Sequence, residues 1–232
     1  GKINDKYLNS IFKSLSDKYI KILPDYVKIK PTKVPKSPLS QIQIYSDPLI
    51  FKLLKNKQLN EVMQKYLRMQ PKFCGASIWL AVADGNVNGS PLLHVDSGSE
   101  KIIRLYVYLN DINTSNGAFH YVRRRISKKF INYSGYLGNA IIDDDFERIG
   151  SKCGVKWSDV KPAVGKAGSS FIIDSAQCLH FGSRMKKGSR LVLILSWMMD
   201  PDSDEGLIMR EEMRNTLTES GNDVMTYPSL LN

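Results

Sequence analysis

The chain has 232 residues, of which 42% are hydrophobic and 24% are charged. This length and composition fit one globular domain and exclude disorder throughout the chain. The longest apolar runs, residues 78–83 and 191–195, are far shorter than the roughly 20 residues of a membrane-spanning helix, so we expect no transmembrane segment. The net charge of +10 favours anionic partners, such as nucleic acid or phosphorylated or carboxylated metabolites, without choosing among them.

Cysteine and histidine are both scarce in the sequence. The three cysteines, Cys74, Cys153 and Cys178, are odd in number, widely spaced and form no Cys-x-x-Cys pair. With no charged-then-apolar leader at the first residues, this pattern favours a cytoplasmic location. Any site that needs several imidazoles must draw on the three histidines, His94, His120 and His180.

The first 72 residues are expected to form a helical support. Apolar residues recur at helical spacing over 5–23 and predict a helix that Pro24 ends. Lysines and prolines alternate over 28–38, which predicts an extended basic connector. Asp47 and Pro48 then offer a cap and a first helical residue, so 48–70 is predicted to form one broken helix or two short ones.

After Pro71 the hydrophobic period changes from 3.6 to 2, which predicts strands. In one of them Ile103, Leu105, Val107 and Leu109 share a face, opposite Ile102, Arg104, Tyr106 and Tyr108. The predicted strands are 76–83, 101–109, 118–122, 169–174, 178–182 and 189–198. Many short strands without helices between them favour an antiparallel sandwich or jelly roll. Residues 132–168 are interpreted as an insertion or lid, and a polar helix is predicted over about 203–218.

The strongest candidate for chemistry is the His94-Val95-Asp96 motif. On a strand, the side chains of His94 and Asp96 leave the same face and can bind one ion together. A second imidazole from a neighbouring strand would complete a two-histidine, one-carboxylate triad, the arrangement of non-haem Fe(II) oxygenases. His180 is positioned to be that second imidazole.

A candidate anion-binding residue follows His180. Arg190 lies at the start of the last predicted strand, on the same face as Val192 and Ile194. A buried guanidinium there can bind a carboxylate bidentately.

The order of these motifs along the chain is similar to that in a known protein family. Between about 73 and 198 the sequence resembles the Fe(II)/2-oxoglutarate dioxygenases, and more closely their phytanoyl-CoA hydroxylase-like branch. The resemblance is carried by residues 92–96, 106–111, 116–119, 168–174 and 180–190. It implies a mainly β fold with flanking helices around a double-stranded β-helix, that is, a cupin-like jelly-roll core.

The resemblance also implies roles for single residues. His94, Asp96 and His180 would bind Fe(II), and Arg190 would bind the distal carboxylate of 2-oxoglutarate. Tyr106 lies where similar enzymes have an aromatic residue beside the cosubstrate. Gly182 lies two residues after His180, where similar enzymes often have a serine. Ser183 or Ser189 would therefore supply the second contact to the carboxylate of 2-oxoglutarate.

The implied function is that of an Fe(II)/2-oxoglutarate-dependent oxygenase. Together with O₂, it would hydroxylate or otherwise oxidise a small organic molecule and release succinate and CO₂. The carboxylate of Asp96 favours this chemistry over halogenation, since halogenating relatives have a small residue there. The substrate class stays open and includes anionic and carrier-tethered molecules. The whole chain, 1–232, is interpreted as one catalytic domain, with a core over 73–200 and a C-terminal helix and tail over 201–232.

Two alternatives explain parts of the sequence. The first is a non-catalytic nucleic-acid-binding module, suggested by the net charge and by the basic run of Arg123, Arg124 and Arg125 with Lys128 and Lys129. The second is a metal-binding cupin that does not use 2-oxoglutarate. His120 is interpreted as structural or substrate-facing.

Overall fold

The computed structural model describes residues 3, 5–22, 39, 41–83, 92–97, 101–136, 140–182 and 184–198. The predicted basic connector and the predicted C-terminal helix lie outside these residues. None of the described helices combines the length and apolar character needed to cross a membrane.

The N-terminal part is helical, as expected. Helix α1 is shorter than the predicted 5–23, because it ends at Tyr19 and a 3₁₀ turn follows. The region after Asp47 forms two short helices rather than one broken helix, because Asn56 caps a new helix by accepting a hydrogen bond from Leu59 N. The helices are α1 (Lys6–Tyr19), α2 (Gln41–Tyr45), α3 (Pro48–Leu54) and α4 (Lys57–Leu67).

Seven strands form two antiparallel sheets. The strands are β1 (Lys72–Val82), β2 (Ile102–Tyr108), β3 (Phe119–Val122), β4 (Val160–Ala163), β5 (Ser170–Asp174), β6 (His180–Phe181) and β7 (Ser189–Met198). The first sheet has the order β1-β7-β2-β5, and the second has the order β4-β3-β6. All neighbouring strands in both sheets are antiparallel.

The two faces of the first sheet have different roles. The predicted face of β2 that begins at Ile103 packs with alternate β7 residues such as Leu193 against helices α1, α3 and α4. The opposite face carries Tyr106 of β2 and Val192 and Ile194 of β7, which pack against the second sheet through Phe119. Sequence parity therefore sorted these strand residues correctly.

The prediction that no helices separate the strands is wrong. Helix α5 (Arg124–Ser134) and helix α6 (Asp143–Cys153) follow β3 and cover the outer face of the second sheet. Phe130 of α5 stacks on Phe146 of α6, with ring centroids 5.2 Å apart. The segment 132–168 is therefore largely regular structure, and its end contributes β4 to the second sheet.

A buried carboxylate ties α1 to α3. Asp47 is 2% exposed and caps α3 by accepting a hydrogen bond from Leu49 N at 2.9 Å. It also accepts hydrogen bonds from Lys18 Nζ at 2.8 Å and from the Tyr19 hydroxyl. Burial and this carboxylate raise the pKa of Tyr19 well above its usual value.

We expect Asp47→Ala to lower the free energy of unfolding by about 2–3 kcal/mol, because it removes a helix cap and leaves the buried Tyr19 hydroxyl without its acceptor. Asp5→Ala is the matched control, since Asp5 caps α1 through Leu8 N alone. That variant should cost about 1 kcal/mol. Urea unfolding of both variants measures the difference, and equal losses would contradict a special role for Asp47.

Candidate active site

Two histidines form a cross-strand pair at the end of the second sheet. His94 N donates to His180 O, and His180 N donates to His94 O, both at 2.9 Å. Such a pair places the two side chains side by side on one face. The imidazole centroids are accordingly 4.4 Å apart. His94 pairs with His180 through an isolated bridge rather than as part of a longer strand.

Backbone contacts orient both imidazoles. His94 Nδ1 lies 2.8 Å from Leu92 O, and His180 Nδ1 lies 2.9 Å from Cys178 O. Because a carbonyl can only accept, each Nδ1 carries a proton, and in the neutral form of such an imidazole Nε2 holds a free lone pair. Metal-binding histidines in proteins are commonly fixed by this type of contact.

Asp96 completes the cluster. Its Oδ1 lies 3.9 Å from His94 Nε2 and 3.6 Å from His180 Nε2. Arg104 holds the other carboxylate oxygen, with Nη2 2.8 Å from Oδ2. The backbone of Asp96 is held as well, because Asp96 N donates to Ser175 O at 2.9 Å. Ser175 also contacts Arg104, since Arg104 Nε donates to Ser175 Oγ at 3.2 Å.

The electrostatics of the cluster favour binding a cation. Burial raises the pKa of Asp96, but its contacts with His180 and Arg104 outweigh burial and hold this pKa well below its usual range. Burial and the neighbouring His180 lower the pKa of His94. Near neutral pH the site therefore presents an ionised carboxylate beside a neutral imidazole of His94, which are the protonation states that a metal ligand needs.

The donor set fits one transition-metal ion. The ligand atoms of His94, Asp96 and His180 all lie within 4.8 Å of one another. Two donors that lie about 2.1 Å from one ion at a right angle, as in a triad on one face of an octahedron, are about 3.0 Å apart. Closing the set around an ion therefore needs the ligand atoms to move by up to about 1 Å. Two imidazoles with one carboxylate also match the ligand chemistry of non-haem Fe(II).

Arg190 lies in the interior between the two sheets. It is 7% exposed, and its Nη1 donates to Gly117 O at 3.1 Å. Its Nε has no hydrogen-bond partner among the described residues. A buried guanidinium with an unsatisfied donor is costly unless an anion completes it. The residue is therefore suited to bind a carboxylate that enters this interior.

Aromatic rings line the interior near the histidines. Tyr106 stacks on Phe171 with ring centroids 4.9 Å apart, and its ring is 4.8 Å from that of Phe119. Phe119 in turn stacks on His180 at 5.3 Å. Burial raises the pKa of Tyr106 to about 12, so its hydroxyl stays protonated and can donate a hydrogen bond.

The remaining predicted residues are not part of the donor cluster. His120 stacks on Phe181 at 4.5 Å, and its Nδ1 contacts Ala118 O at 2.9 Å, which fits a structural role. Arg184 donates twice to Asp143, at 2.6 and 2.7 Å. Ser183 lies outside the described residues.

Sequence reasoning missed Arg104 as part of the site. The signal was present, because Arg104 alternates with Tyr106 and Tyr108 on the β2 face that points to the interior. A cation on an otherwise uncharged face of β2 needs a partner, and that partner is Asp96.

No protein-family profile matches the sequence, and no curated protein matches it. Solved structures do match, and three with a TM-score of 0.50 and 12% sequence identity are informative. The match to HygX from Streptomyces hygroscopicus, with nickel and 2-oxoglutarate bound, covers 80% of this chain and 78% of HygX. The match to SnoN, a non-haem α-ketoglutarate-dependent epimerase from nogalamycin biosynthesis, covers 80% of this chain and 74% of SnoN. The match to ThoJ, a non-haem monooxygenase in its apo form, covers 82% of this chain and 70% of ThoJ.

The chain shares the fold of these three proteins. At this identity the likeness concerns the fold, which is built here from antiparallel sheets with helices on both outer sides.

Proposed function

We propose that this protein is a non-haem Fe(II)/2-oxoglutarate-dependent oxygenase that oxidises a small organic molecule. The observation that carries the proposal is the convergence of two oriented Nε2 atoms and one ionised carboxylate, from His94, His180 and Asp96. Arg190, buried with an unsatisfied donor, supplies the second half of the site.

In this proposal each residue has a defined task. His94, His180 and Asp96 would hold Fe(II), while Arg104 keeps Asp96 ionised and oriented. Arg190 would bind the distal carboxylate of 2-oxoglutarate, and Tyr106 would line the cosubstrate site. Bound iron and 2-oxoglutarate would supply the activation of O₂, so that one oxygen atom enters succinate, CO₂ is released and the other oxygen oxidises a substrate C–H bond.

The protein would also keep the reaction dry. Tyr106, Phe119 and Phe171 line the interior between the sheets, and their rings are in mutual contact. An apolar lining excludes bulk water and strengthens the interaction between Arg190 and a carboxylate.

We further propose that the two sheets form a double-stranded β-helix and that the whole chain is one catalytic domain. The order of the strands in the two sheets and the fold shared with HygX, which binds 2-oxoglutarate, support this proposal. Membership of the phytanoyl-CoA hydroxylase-like branch stays a prediction from the order of the motifs. The second carboxylate contact by Ser183 or Ser189 also stays a prediction.

The decisive experiment is iron-dependent release of succinate from 2-oxoglutarate. The purified protein is loaded with Fe(II) without oxygen, then exposed to air with ascorbate, 2-oxoglutarate and a panel of small molecules that includes carboxylated and phosphorylated compounds. We expect succinate release that stops when the metal is chelated. Metal binding without any succinate release would favour the cupin that does not use 2-oxoglutarate.

One observation favours nucleic-acid binding as a second candidate. The five cations at the start of α5 are exposed and make no ion pair with any described residue: Arg123, Arg124, Arg125, Lys128 and Lys129. Such a surface would bind DNA or RNA with a steep salt dependence. This binding would be unaffected by His94→Ala, and it would not explain the triad.

We expect Arg104→Gln to weaken metal binding by about 10- to 100-fold, the usual effect of removing a partner that orients a metal ligand. The loss arises because Asp96 Oδ2 no longer contacts a positive charge. Titration with Co(II), followed by its absorption spectrum, measures the affinity without any turnover.

Arg148→Gln is the matched control for this change. Arg148 pairs with Asp145 on the exposed side of α6, so its loss should leave Co(II) affinity unchanged. Equal affinities for the Arg104 variant and the wild type would show that Arg104 does not position Asp96.

A further inference from the structure

A large open cleft lies apart from the triad. It has a volume of about 1350 Å³ and runs between helices α1 and α4 and the turn that joins β4 to β5. Phe171 lines it, whereas none of the triad residues and not Arg190 does so. Gly168 allows this turn to approach α1, since a Cβ there would lie 3.2 Å from Lys13 Cα and its φ is +86°.

The lining of the cleft is mainly apolar. Leu8 of α1, Met63 of α4 and Ile173 of β5 contribute to its walls. At its rim Val62 is 54% exposed and Val164 is 44% exposed. These are two of only five large hydrophobic side chains that are exposed in the described part of the chain. Apolar side chains gathered at the mouth of a cleft indicate a site for an apolar ligand.

The acidic residues of the cleft already have partners. Asp5 accepts a hydrogen bond from the backbone at the start of α1, and Glu61 pairs with Lys57 at 3.8 Å. Asp174 accepts the Tyr66 hydroxyl at 2.6 Å. Each of these three carboxylates therefore has at least one contact within the protein.

Three cations of the cleft are available to a ligand. Lys65, Arg123 and Arg124 line it and form no ion pair with any residue the structure describes. Arg124 lies 5.9 Å from the centroid of the Tyr66 ring, and Lys65 and Arg123 adjoin these two residues in sequence. Arg124 thus lies beside Tyr66, and the three cations together give this mainly apolar cleft a positive lining.

We propose that this cleft is a second binding site, for an amphipathic carboxylate with an aliphatic chain. The chain would pack between α1, α4 and β5, and the carboxylate would lie at the Lys65, Arg123 and Arg124 end. The site does not depend on the metal chemistry, because none of the triad residues lines the cleft, and Arg190 does not line it either. It accounts for apolar side chains and unpaired cations that the proposed oxygenase leaves without a role.

Isothermal titration with decanoate, decanol and acetate tests the proposal on the full chain. We expect decanoate to bind and decanol to bind about five- to tenfold more weakly, which is what one or two partly exposed ion pairs contribute. Acetate should show no binding, because it lacks the apolar chain. Absence of decanoate binding, or equal binding of decanol, would overturn the proposal.

Substitutions assign the binding to this cleft. Lys65→Ala combined with Arg123→Ala should lower decanoate affinity, whereas Arg125→Ala combined with Lys128→Ala, which makes the same charge change outside the cleft, should not. Equal losses in both double variants would reduce the effect to net charge and overturn the site.

A second pair of variants tests the apolar rim. Val62→Glu should abolish decanoate binding, and Ile142→Glu, at a residue that is 50% exposed away from the cleft, should not. His180→Ala should keep the wild-type affinity for decanoate, so the proposal survives even if the oxygenase assignment fails. Loss of binding in His180→Ala would place decanoate at the triad and overturn the second site.

Discussion

Replacing His180 by alanine is expected to weaken metal binding by more than about 100-fold, beyond the 10- to 100-fold loss typical of residues that only orient a ligand. His180 is one of three donors, it is almost fully buried, and its Nε2 is oriented by the contact of Nδ1 with Cys178 O. With two donors left, Asp96 and His94 cannot enclose an ion. Co(II) titration and iron-dependent succinate release should therefore both fail in this variant.

His120→Ala is the matched control for this experiment. His120 also places its Nδ1 against the carbonyl two residues earlier and stacks on a phenylalanine, but it belongs to no donor cluster among the described residues. Its replacement should leave Co(II) affinity at the wild-type value. If both histidine variants bind metal like the wild type, the triad is not a metal site and the oxygenase assignment fails.

Replacing Arg190 by methionine is expected to preserve the stability of the protein and to weaken its binding of 2-oxoglutarate. The guanidinium is buried and its Nε is unsatisfied, so an apolar side chain of similar length should stabilise the ligand-free protein or leave it unchanged. The same change should raise the apparent dissociation constant of 2-oxoglutarate by about 30-fold or more, because a bound carboxylate would lose its buried partner. Thermal unfolding with and without 2-oxoglutarate, in the presence of Co(II), measures both effects.

Arg184→Met is the control for Arg190→Met. Arg184 is part-buried, pairs with Asp143 and lies over the Phe181 ring, so its loss should destabilise the protein and leave the shift caused by 2-oxoglutarate intact. A full 2-oxoglutarate shift in Arg190→Met would show that this arginine does not bind the cosubstrate. Succinate release that persists in this variant would lead to the same conclusion.

Strand parity was the most informative property of the sequence. Alternation along β2 separated the Ile103 face, which packs on helices, from the Tyr106 face, which lines the interior. The same rule placed Arg190 of β7 on the interior face with Val192 and Ile194. Side chains alternate strictly on a strand, so local sequence is sufficient for this assignment.

Helices α5 and α6 could not be predicted in the same way. Phe130 and Phe146 are buried because each packs against the other and against the second sheet. A local signal was present, because Ile126 and Phe130 of α5, and Phe146, Ile149 and Cys153 of α6, lie at helical spacing. The charged residues around them drew attention away from this pattern.

The motif His94-Val95-Asp96 and the choice of His180 and Arg190 followed from the residue types and their order in the chain. Their geometry did not. Only the folded chain pairs His94 with His180 across the sheet, aims both Nε2 atoms at Asp96 and brings Arg104 onto that carboxylate. The physical reason is that a strand determines which face a side chain occupies, whereas the distance between side chains remote in sequence depends on how strands pair and sheets pack.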